Sequence, residues 1–506
     1  MKLHEGLVAF AGMLLPGAKR LAELRGRWAV PGDGNAWSAS RYFDLLRKRV
    51  NPSAVVDDKT WSDLEFPDFF TAIDTTVTPI GRQYLFAHLR VYEYDTAELD
   101  DRYRGYDVLR ADRELREHIQ LALKPLEGDS AALIAELLMG SEPERIPYGH
   151  FVLPWALLTV VAVGAALAHL IPLWLCAIPL VINAVIALKI DARLAQKADA
   201  LLSLARLLDA ARRISALRSI QSFSLLSRLA SETQKRESLR SQIKWLAVVD
   251  RIRSAELIGG IVVMANAFFL LKLAVYTRSI GRFAESRAEW LSTFKLIGAM
   301  DAAVAVASLL CRCPAHCRPD TSDSTIEIEN GYHASISNPV KNSIRLANTS
   351  ALITGSNMTG KTTFIKMIAM NTILGHTLGI CLADRATLPR SAVRALVRGD
   401  QSVAEGKSGY FAEAQAIRDF IAESATGACR IFILDEPFSG TNTVERIAVA
   451  KAVLRAIGAS AQVLVTTHDV ELQHLLGAQF ELFHFQENPA VEGFFDHELH
   501  SGASTQ

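Results

Sequence analysis

Three short stretches hold residue types that together can handle a phosphate ester. The first is Gly355-Ser356-Asn357-Met358-Thr359-Gly360-Lys361-Thr362, which fits the pattern G-x-x-x-x-G-K-[ST]. Ala351 to Ile353 before it reads as a short apolar strand, and Thr363 onward reads as a helix. The glycines let successive backbone N–H groups turn toward a phosphate, and the helix N-terminus adds its partial positive charge. Lys361 then reaches the β/γ-phosphates, and the Thr362 hydroxyl can ligand Mg²⁺. A glycine-rich turn between strand and helix is also an ordinary structural device, so the other two stretches matter.

The second is Ile431-Phe432-Ile433-Leu434, a buried-strand run that ends in Asp435-Glu436. Asp435 is placed to hold the metal shell, and Glu436 to orient and deprotonate an attacking water. The third, Val463 to Thr467, is another strand and ends at His468, a group able to hydrogen-bond a γ-phosphate. Taken singly, each is what a strand meeting solvent looks like. Their order decides: phosphate loop, carboxylate pair about 75 residues on and histidine about 30 later, each closing a strand. Gly406-Lys407-Ser408-Gly409-Tyr410-Phe411-Ala412-Glu413 lies between loop and carboxylates, a polar turn entering a helix. Ser408 there is either a helix cap or a group that closes over the nucleotide of a second, head-to-tail copy.

These residues need a framework. Strands and helices alternate from the polar turn Arg318 to Ser324 up to Phe485, the pattern of an α/β layered domain. Upstream the text is helical. Thr78 before Pro79 predicts a capped helix start, Tyr103 to Leu138 has helical periodicity, and Ile190 to Ser254 is Leu/Ala/Arg-rich without Gly or Pro. Glu285 to Leu310 continues in the same manner.

Phe151 to Leu188 contains no Asp, Glu, Lys or Arg, and one bilayer pass takes only about 20 residues. Two short passes turning at His169-Leu170-Ile171-Pro172 are expected, with Trp155 and Trp174 near the interfaces. Arg145 before the hairpin and Lys189, Arg193 and Lys197 after it put both flanks in the cytoplasm. The alternative is a hairpin buried in a large core. A third apolar run, Leu257 to Tyr276, carries Asn266 and Lys272 and reads better as a core helix.

Among 506 residues, 54 Lys plus Arg balance 54 Asp plus Glu, which excludes a global basic field for nucleic acid. Six cysteines without regular pairing fit a reducing compartment. Three of them, Cys311, Cys313 and Cys317, stand with His316 in a seven-residue stretch that reads as a linker more than as a zinc site. Met1 to Leu15 lacks a cleavage pattern for a secretory signal. The expected units are 1–50, an N-terminal segment; 51–150, helical; 151–188, the transmembrane hairpin; 189–318, a helical core or lever; 319–485, the α/β domain; and 486–506, a polar, loosely ordered tail.

Thr354 to Phe364, with Asn357-Met358 inside the loop, resembles the phosphate loop of MutS-family ATPases far more closely than the generic pattern does. Ser408 and Glu413, Leu434-Asp435-Glu436 followed by Gly440-Thr441-Asn442-Thr443, and Thr466-Thr467-His468 are further likenesses, and Ile73 to Gly81 is similar to the start of that family's helical core. Ser356, Thr359 and Thr362 depart from the usual proline, glycine and serine. No counterpart of the mismatch-reading domain with its Phe-x-Glu wedge is matched, nor of the C-terminal dimerisation helices. The hairpin is similar instead to a membrane-anchored, MutS-like bacterial group.

The resemblance implies a P-loop ATPase domain of the MutS/ABC type behind an all-α region interrupted by a transmembrane hairpin. It implies an ATP-hydrolysing homodimer at the bacterial inner membrane, facing the cytoplasm. Gly355 to Thr363 would hold ATP, Thr362 and Asp435 Mg²⁺, Lys361, Glu436 and His468 would act in catalysis, and Ser408 would reach across the dimer. The resemblance leaves DNA open as a further partner. A DNA repair or recombination ATPase at the membrane is the first competing reading, and a transporter-type ATPase the second.

Overall fold

Thr78 sets the first fixed point of the helical region: its hydroxyl accepts from the Gly81 amide at 2.9 Å and Pro79 takes the first helical position, as the sequence predicts. The computed structural model describes residues 16–32, 38–141, 146, 148–189, 192–217, 224–235, 270–336, 338–397, 409–427, 429–487 and 495–504. Its helical part comprises α1 (Pro16–Arg27), α2 (Ser40–Leu46), α3 (Asp58–Asp63), α4 (Phe66–Ile73), α5 (Pro79–Arg90), α6 (Thr96–Ala111), α7 (Arg113–Leu123) and α8 (Ile134–Met139). After these come α9 (Val152–Leu167), α10 (Leu173–Lys189), α11 (Ala192–Ser215), α12 (Ser224–Lys235), α13 (Leu271–Glu285) and α14 (Arg287–Arg312).

Helix α14 is apolar and long enough to cross a membrane, yet it is buried along its length against α5 and α6 and forms the core of this region. Its Asp301, fully buried, accepts from the Val77 amide (2.9 Å), the Thr78 amide (2.8 Å) and the Thr78 hydroxyl (2.7 Å). A Cβ at Gly81 would meet this carboxylate at 2.2 Å, so glycine is required where α5 crosses α14.

The helical periodicity from Tyr103 to Leu138 is divided, because Asp112 ends α6 and caps α7 through the Leu115 amide (2.9 Å), and 3-10 turns follow before α8. The long run from Ile190 likewise ends a helix at Ser215 and resumes at Ser224; 236–254 and most of the apolar run from Leu257 lie outside the described residues. The described end of that run opens α13, whose Leu273 to Tyr276 are buried; α13 packs on α11, and Lys272 pairs with Asp199 at 3.0 Å.

Helices α9 and α10 form the antiparallel hairpin expected over 151–188, with a turn at Ala168 to Pro172. Three of its polar side chains meet between the arms: Trp155 Nε1 donates to Asn183 Oδ1 (2.7 Å), and Asn183 Nδ2 to Thr159 Oγ1 (3.2 Å). Its outer faces are apolar and exposed, including Val161, Leu167, Leu170 and Trp174.

The α/β part contains β1 (Asp320–Ser322), β2 (Thr325–Gly331), β3 (Asn342–Ala347), β4 (Ser350–Thr354), α15 (Lys361–Thr377), β5 (Arg385–Pro389), β6 (Val393–Leu396), α16 (Gly409–Thr426), β7 (Ile431–Asp435), α17 (Thr443–Gly458), β8 (Gln462–Thr467), α18 (Glu471–Leu476), β9 (Phe480–His484) and β10 (His500–Ser501). A four-stranded sheet runs β1-β5-β2-β3 and a six-stranded one β10-β9-β4-β8-β7-β6, the latter parallel except for β10. Strands β4, β7 and β8 are buried throughout, which explains their unbroken apolar runs.

The helical region grips this sheet and its central helix. The outward amides of β6 and its end are taken by Tyr92 Oη (from Val393), Thr60 Oγ1 (from Ala395) and Asp63 Oδ2 (from Val397), each at 3.0 Å. Helix α15 is held at both ends: Lys366 pairs with Glu65 at 2.6 Å, the His376 carbonyl accepts from the Glu93 amide at 2.6 Å, and the Thr377 carbonyl from Arg102 at 2.8 Å.

Two local expectations change. The Cys311 to Cys317 stretch is no free linker, since Cys317 and Cys381 exchange backbone hydrogen bonds (2.9 and 2.8 Å) and the Ala315 carbonyl accepts from Tyr332 Oη at 2.8 Å. Among the described residues no group of three or more His, Cys, Asp or Glu is arranged to hold a metal ion. The tail after Gln486 is docked in part: β10 pairs with β9, and Glu487 bridges to Phe495.

Candidate functional site

Strands β4, β8 and β7 are neighbours, with Ile353 opposite Thr466 and Thr466 opposite Asp435. Their carboxyl ends therefore bring the phosphate loop, His468 and the Asp435-Glu436 pair to one edge of the sheet, where α/β sheets bind ligands. The loop needs its glycines: Gly355 has φ +148° and Gly360 φ +108°, and a Cβ at Gly355 would meet the Phe485 carbonyl at 2.7 Å. Thr359, buried, ties the loop internally by donating to the Ser356 carbonyl at 2.8 Å. Ser356, Asn357 and Met358 stand out in solvent, Met358 with φ +70°.

Lys361 is 4 % exposed, and its ammonium donates to the carbonyls of Gly355 (2.8 Å) and Ser356 (2.9 Å) and lies 3.5 Å from Glu436 Oε1. A lysine folded onto its own loop in this way keeps a charge ready under a phosphate. Thr362 Oγ1 donates to Asp435 Oδ2 at 2.9 Å, and Thr466 Oγ1 donates to Asp435 Oδ1. Burial pushes the Asp435 carboxyl above its usual range, against the lowering effect of those two hydroxyls. A dication shared by Thr362 and Asp435 would remove that penalty, so the donor set suits Mg²⁺. Glu436 adopts φ +45° at the end of β7, with its amide donating to the Thr466 carbonyl (3.1 Å), and its Oε2 is 3.6 Å from His468 Nδ1. Arg446 holds Asp469, next to His468, through two hydrogen bonds of 2.7 and 2.6 Å.

Thus Gly355 to Thr363, Asp435, Glu436 and His468 come together. Ser408 lies outside the described residues. Glu413, its companion on α16, is buried and accepts from the Phe438 amide at 2.6 Å, tying α16 to the turn after the carboxylate pair. Asn442 caps α17 by accepting from the Glu445 amide at 3.0 Å.

A cavity of about 360 Å³ opens beside the loop. Besides Lys361, Thr362 and Thr363 it is lined by Tyr332, His333, Ile336 and Val340 from the β2–β3 connection, by Phe364, and by His497 from the tail. His333 is buried, which lowers its basicity, and its Nε2 has no protein partner. His497 donates from Nδ1 to the Thr359 carbonyl at 3.0 Å, and Asn342 clamps its segment through the His497 carbonyl (2.9 Å) and the Leu499 amide (2.8 Å). Sequence reasoning missed this wall. Its residues belong to no phosphate motif, and His497 reaches the loop only through the pairing of β10 with β9; the one available signal was an Asn-Pro turn at Asn338-Pro339 ahead of a strand.

The MutS domain V family model matches residues 351–506. The DNA mismatch repair protein MutS of Natronomonas pharaonis is 30% identical over 241 residues, 44% of this chain and 28% of that protein. That of Haloquadratum walsbyi is 25% identical over 296 residues, 55% of this chain and 31% of that protein. MutS protein homolog 4 of mouse is 32% identical over 187 residues, 35% of this chain and 19% of that protein. The chain spans less than a third of the length of these curated relatives. The loop, the carboxylate pair and the histidine come together within the matched stretch, and residues 351–506 are similar to MutS domain V.

Proposed function

We propose that the chain is a membrane-anchored, MutS-like ATPase that hydrolyses ATP with Mg²⁺ and passes the resulting movement to its helical region. The observation that carries this is the convergence of Lys361, Thr362, Asp435 and Glu436 at the mouth of a nucleoside-sized cavity. The loop amides and Lys361 would bind the phosphates, with Thr362 and Asp435 holding the metal, which supplies charge neutralisation on the β- and γ-phosphates. Glu436 would orient and deprotonate water, and His468, 3.6 Å from it, would hydrogen-bond the γ-phosphate. Tyr332, Ile336 and His497 would enclose the base.

A head-to-tail homodimer would complete the site, with Ser408 reaching across. Exposed Met358, Phe411 and Val444, each on an element that begins or ends at the site, support a partner covering this face. The α9–α10 hairpin would sit in the inner membrane of a bacterium with the ATPase domain in the cytoplasm, supported by outer faces that are apolar all round and by polar groups satisfied between its arms. DNA binding is the competing reading. It is favoured by the relatives' names, while the balanced charge offers no general field for a duplex.

The test is Mg²⁺-dependent phosphate release by the full chain in detergent, measured against protein concentration. Activity that disappears in Lys361→Ala, and a rate per chain that falls on dilution to monomer, are expected. A rate per chain that stays flat in a demonstrated monomer overturns the composite site, and absence of any ATP turnover overturns the ATPase reading.

A further inference from the structure

Among the helices that flank the hairpin in sequence lies a cleft of about 710 Å³, larger than the nucleotide cavity and lined by none of its residues. Helix α8 is its floor, with α2 and α11 on either side; α8 packs against both. The floor is fixed, because Arg49 holds the Met139 carbonyl at 2.9 Å and Arg287 holds those of Leu138 (2.7 Å) and Gly140 (2.5 Å) at the end of α8. Gly140 and Ser141 on the rim lead into the hairpin's first arm, and Gln196 and Lys197 follow its second. Along the chain, the cleft residues thus precede and follow the hairpin.

Its chemistry has two halves. Leu45, Leu133 and Leu137 give an apolar wall, and four charged groups face it: Arg41 and Lys197 against Asp44 and Glu136. Two cations and two carboxylates line the cleft, with Asp44 also 3.8 Å from Arg47. An anionic ligand would meet opposition from the carboxylates and a cationic one from the bases, whereas a zwitterion satisfies both.

We infer that this cleft binds the headgroup of a zwitterionic glycerophospholipid bearing a phosphodiester and a primary ammonium. The phosphodiester sits between Lys197 and Arg41, the ammonium between Glu136 and Asp44, and the start of an acyl chain lies along Leu133 and Leu137. The volume falls within the range of small-molecule sites, about 300 to 1,000 Å³. The inference rests on the membrane reading of the hairpin, since the lipid reaches the cleft from the leaflet around α9 and α10.

The experiment uses the full chain reconstituted into vesicles of phosphatidylethanolamine, phosphatidylcholine and phosphatidylglycerol in equal parts. The vesicles are floated, the protein is re-extracted in mild detergent, and the retained lipid is quantified by mass spectrometry. Phosphatidylethanolamine retained at three-fold or more above its bulk share is expected, falling to the bulk share in Lys197→Gln and in Glu136→Gln, with Lys197→Arg restoring it. Both glutamine variants are expected to keep the parent ATP turnover, which reports that they fold. Retention at bulk composition, or enrichment of phosphatidylglycerol, overturns the headgroup site while leaving membrane anchoring intact. Failure of the parent chain to float overturns the membrane reading itself. Displacement of the retained lipid by soluble glycerophosphoethanolamine at millimolar concentration would assign the site to the free headgroup and overturn the membrane lipid as occupant.

Discussion

The hydroxyl of Thr362 and the carboxylate of Asp435 are joined at 2.9 Å, linking the first turn of α15 to the end of β7 across 73 residues of chain. This pair is where a Mg²⁺ ion would enter. Thr362→Ser is expected to keep hydrolysis within a few-fold of the parent. Thr362→Val, which has the same shape and no oxygen, should lower it by about 10- to 100-fold and raise the Mg²⁺ requirement. A Mg²⁺ titration of phosphate release checks both.

In the proposed mechanism Glu436 would act on water more than on nucleotide binding. Glu436→Gln should retain ATP binding and lose hydrolysis by roughly 10²- to 10⁴-fold. Equilibrium nucleotide binding beside single-turnover kinetics separates the two, and a parallel loss of binding would remove Glu436 from its assigned role.

Asp301 concerns stability alone. Asp301→Ala leaves two amides and a hydroxyl without their acceptor in a fully buried place, so a loss of about 3 kcal/mol or more is expected. Gly81→Ala, which drives a methyl group onto the same carboxylate, should be comparably damaging. Thermal melting of the chain in detergent measures both.

His376 gives the α/β domain an acid limit. It is buried at the end of α15, its Nε2 donates to the Pro389 carbonyl at 2.7 Å, and burial lowers its pKa from 6.5 to about 4. The unfolded chain therefore binds the proton first. Stability is fully present above about pH 6.5 and falls toward pH 4, by up to about 3 kcal/mol from this residue. His376→Gln, which can still donate to Pro389 but does not titrate, should flatten that limb in denaturation curves taken from pH 4.5 to 7.5.

The phosphate loop, the carboxylate pair and His468 were legible because each is fixed by its own strand: chemistry and backbone turn lie within a few residues. The hairpin was legible for a related reason, since an uncharged run of 38 residues with a break at Pro172 leaves few alternatives. What escaped depends on contacts far apart in the chain. His497 faces the loop because β10 turns back onto β9, and Asn342 holds it from a third strand. The break at Asp112, by contrast, comes from its side chain capping α7, a local signal that periodicity does not record. Cys317 looked like linker because its partner, Cys381, is 64 residues away.

Tyr92, Thr60 and Asp63 occupy the outward amides at the β6 edge. At the opposite edge, β10 offers only two residues. A foreign strand thus finds the outward amides of the β6 edge already taken, which disfavours sheet extension on that side. In the proposed head-to-tail dimer the subunits would meet face to face over the loops, which would leave them separable each time the nucleotide between them is spent.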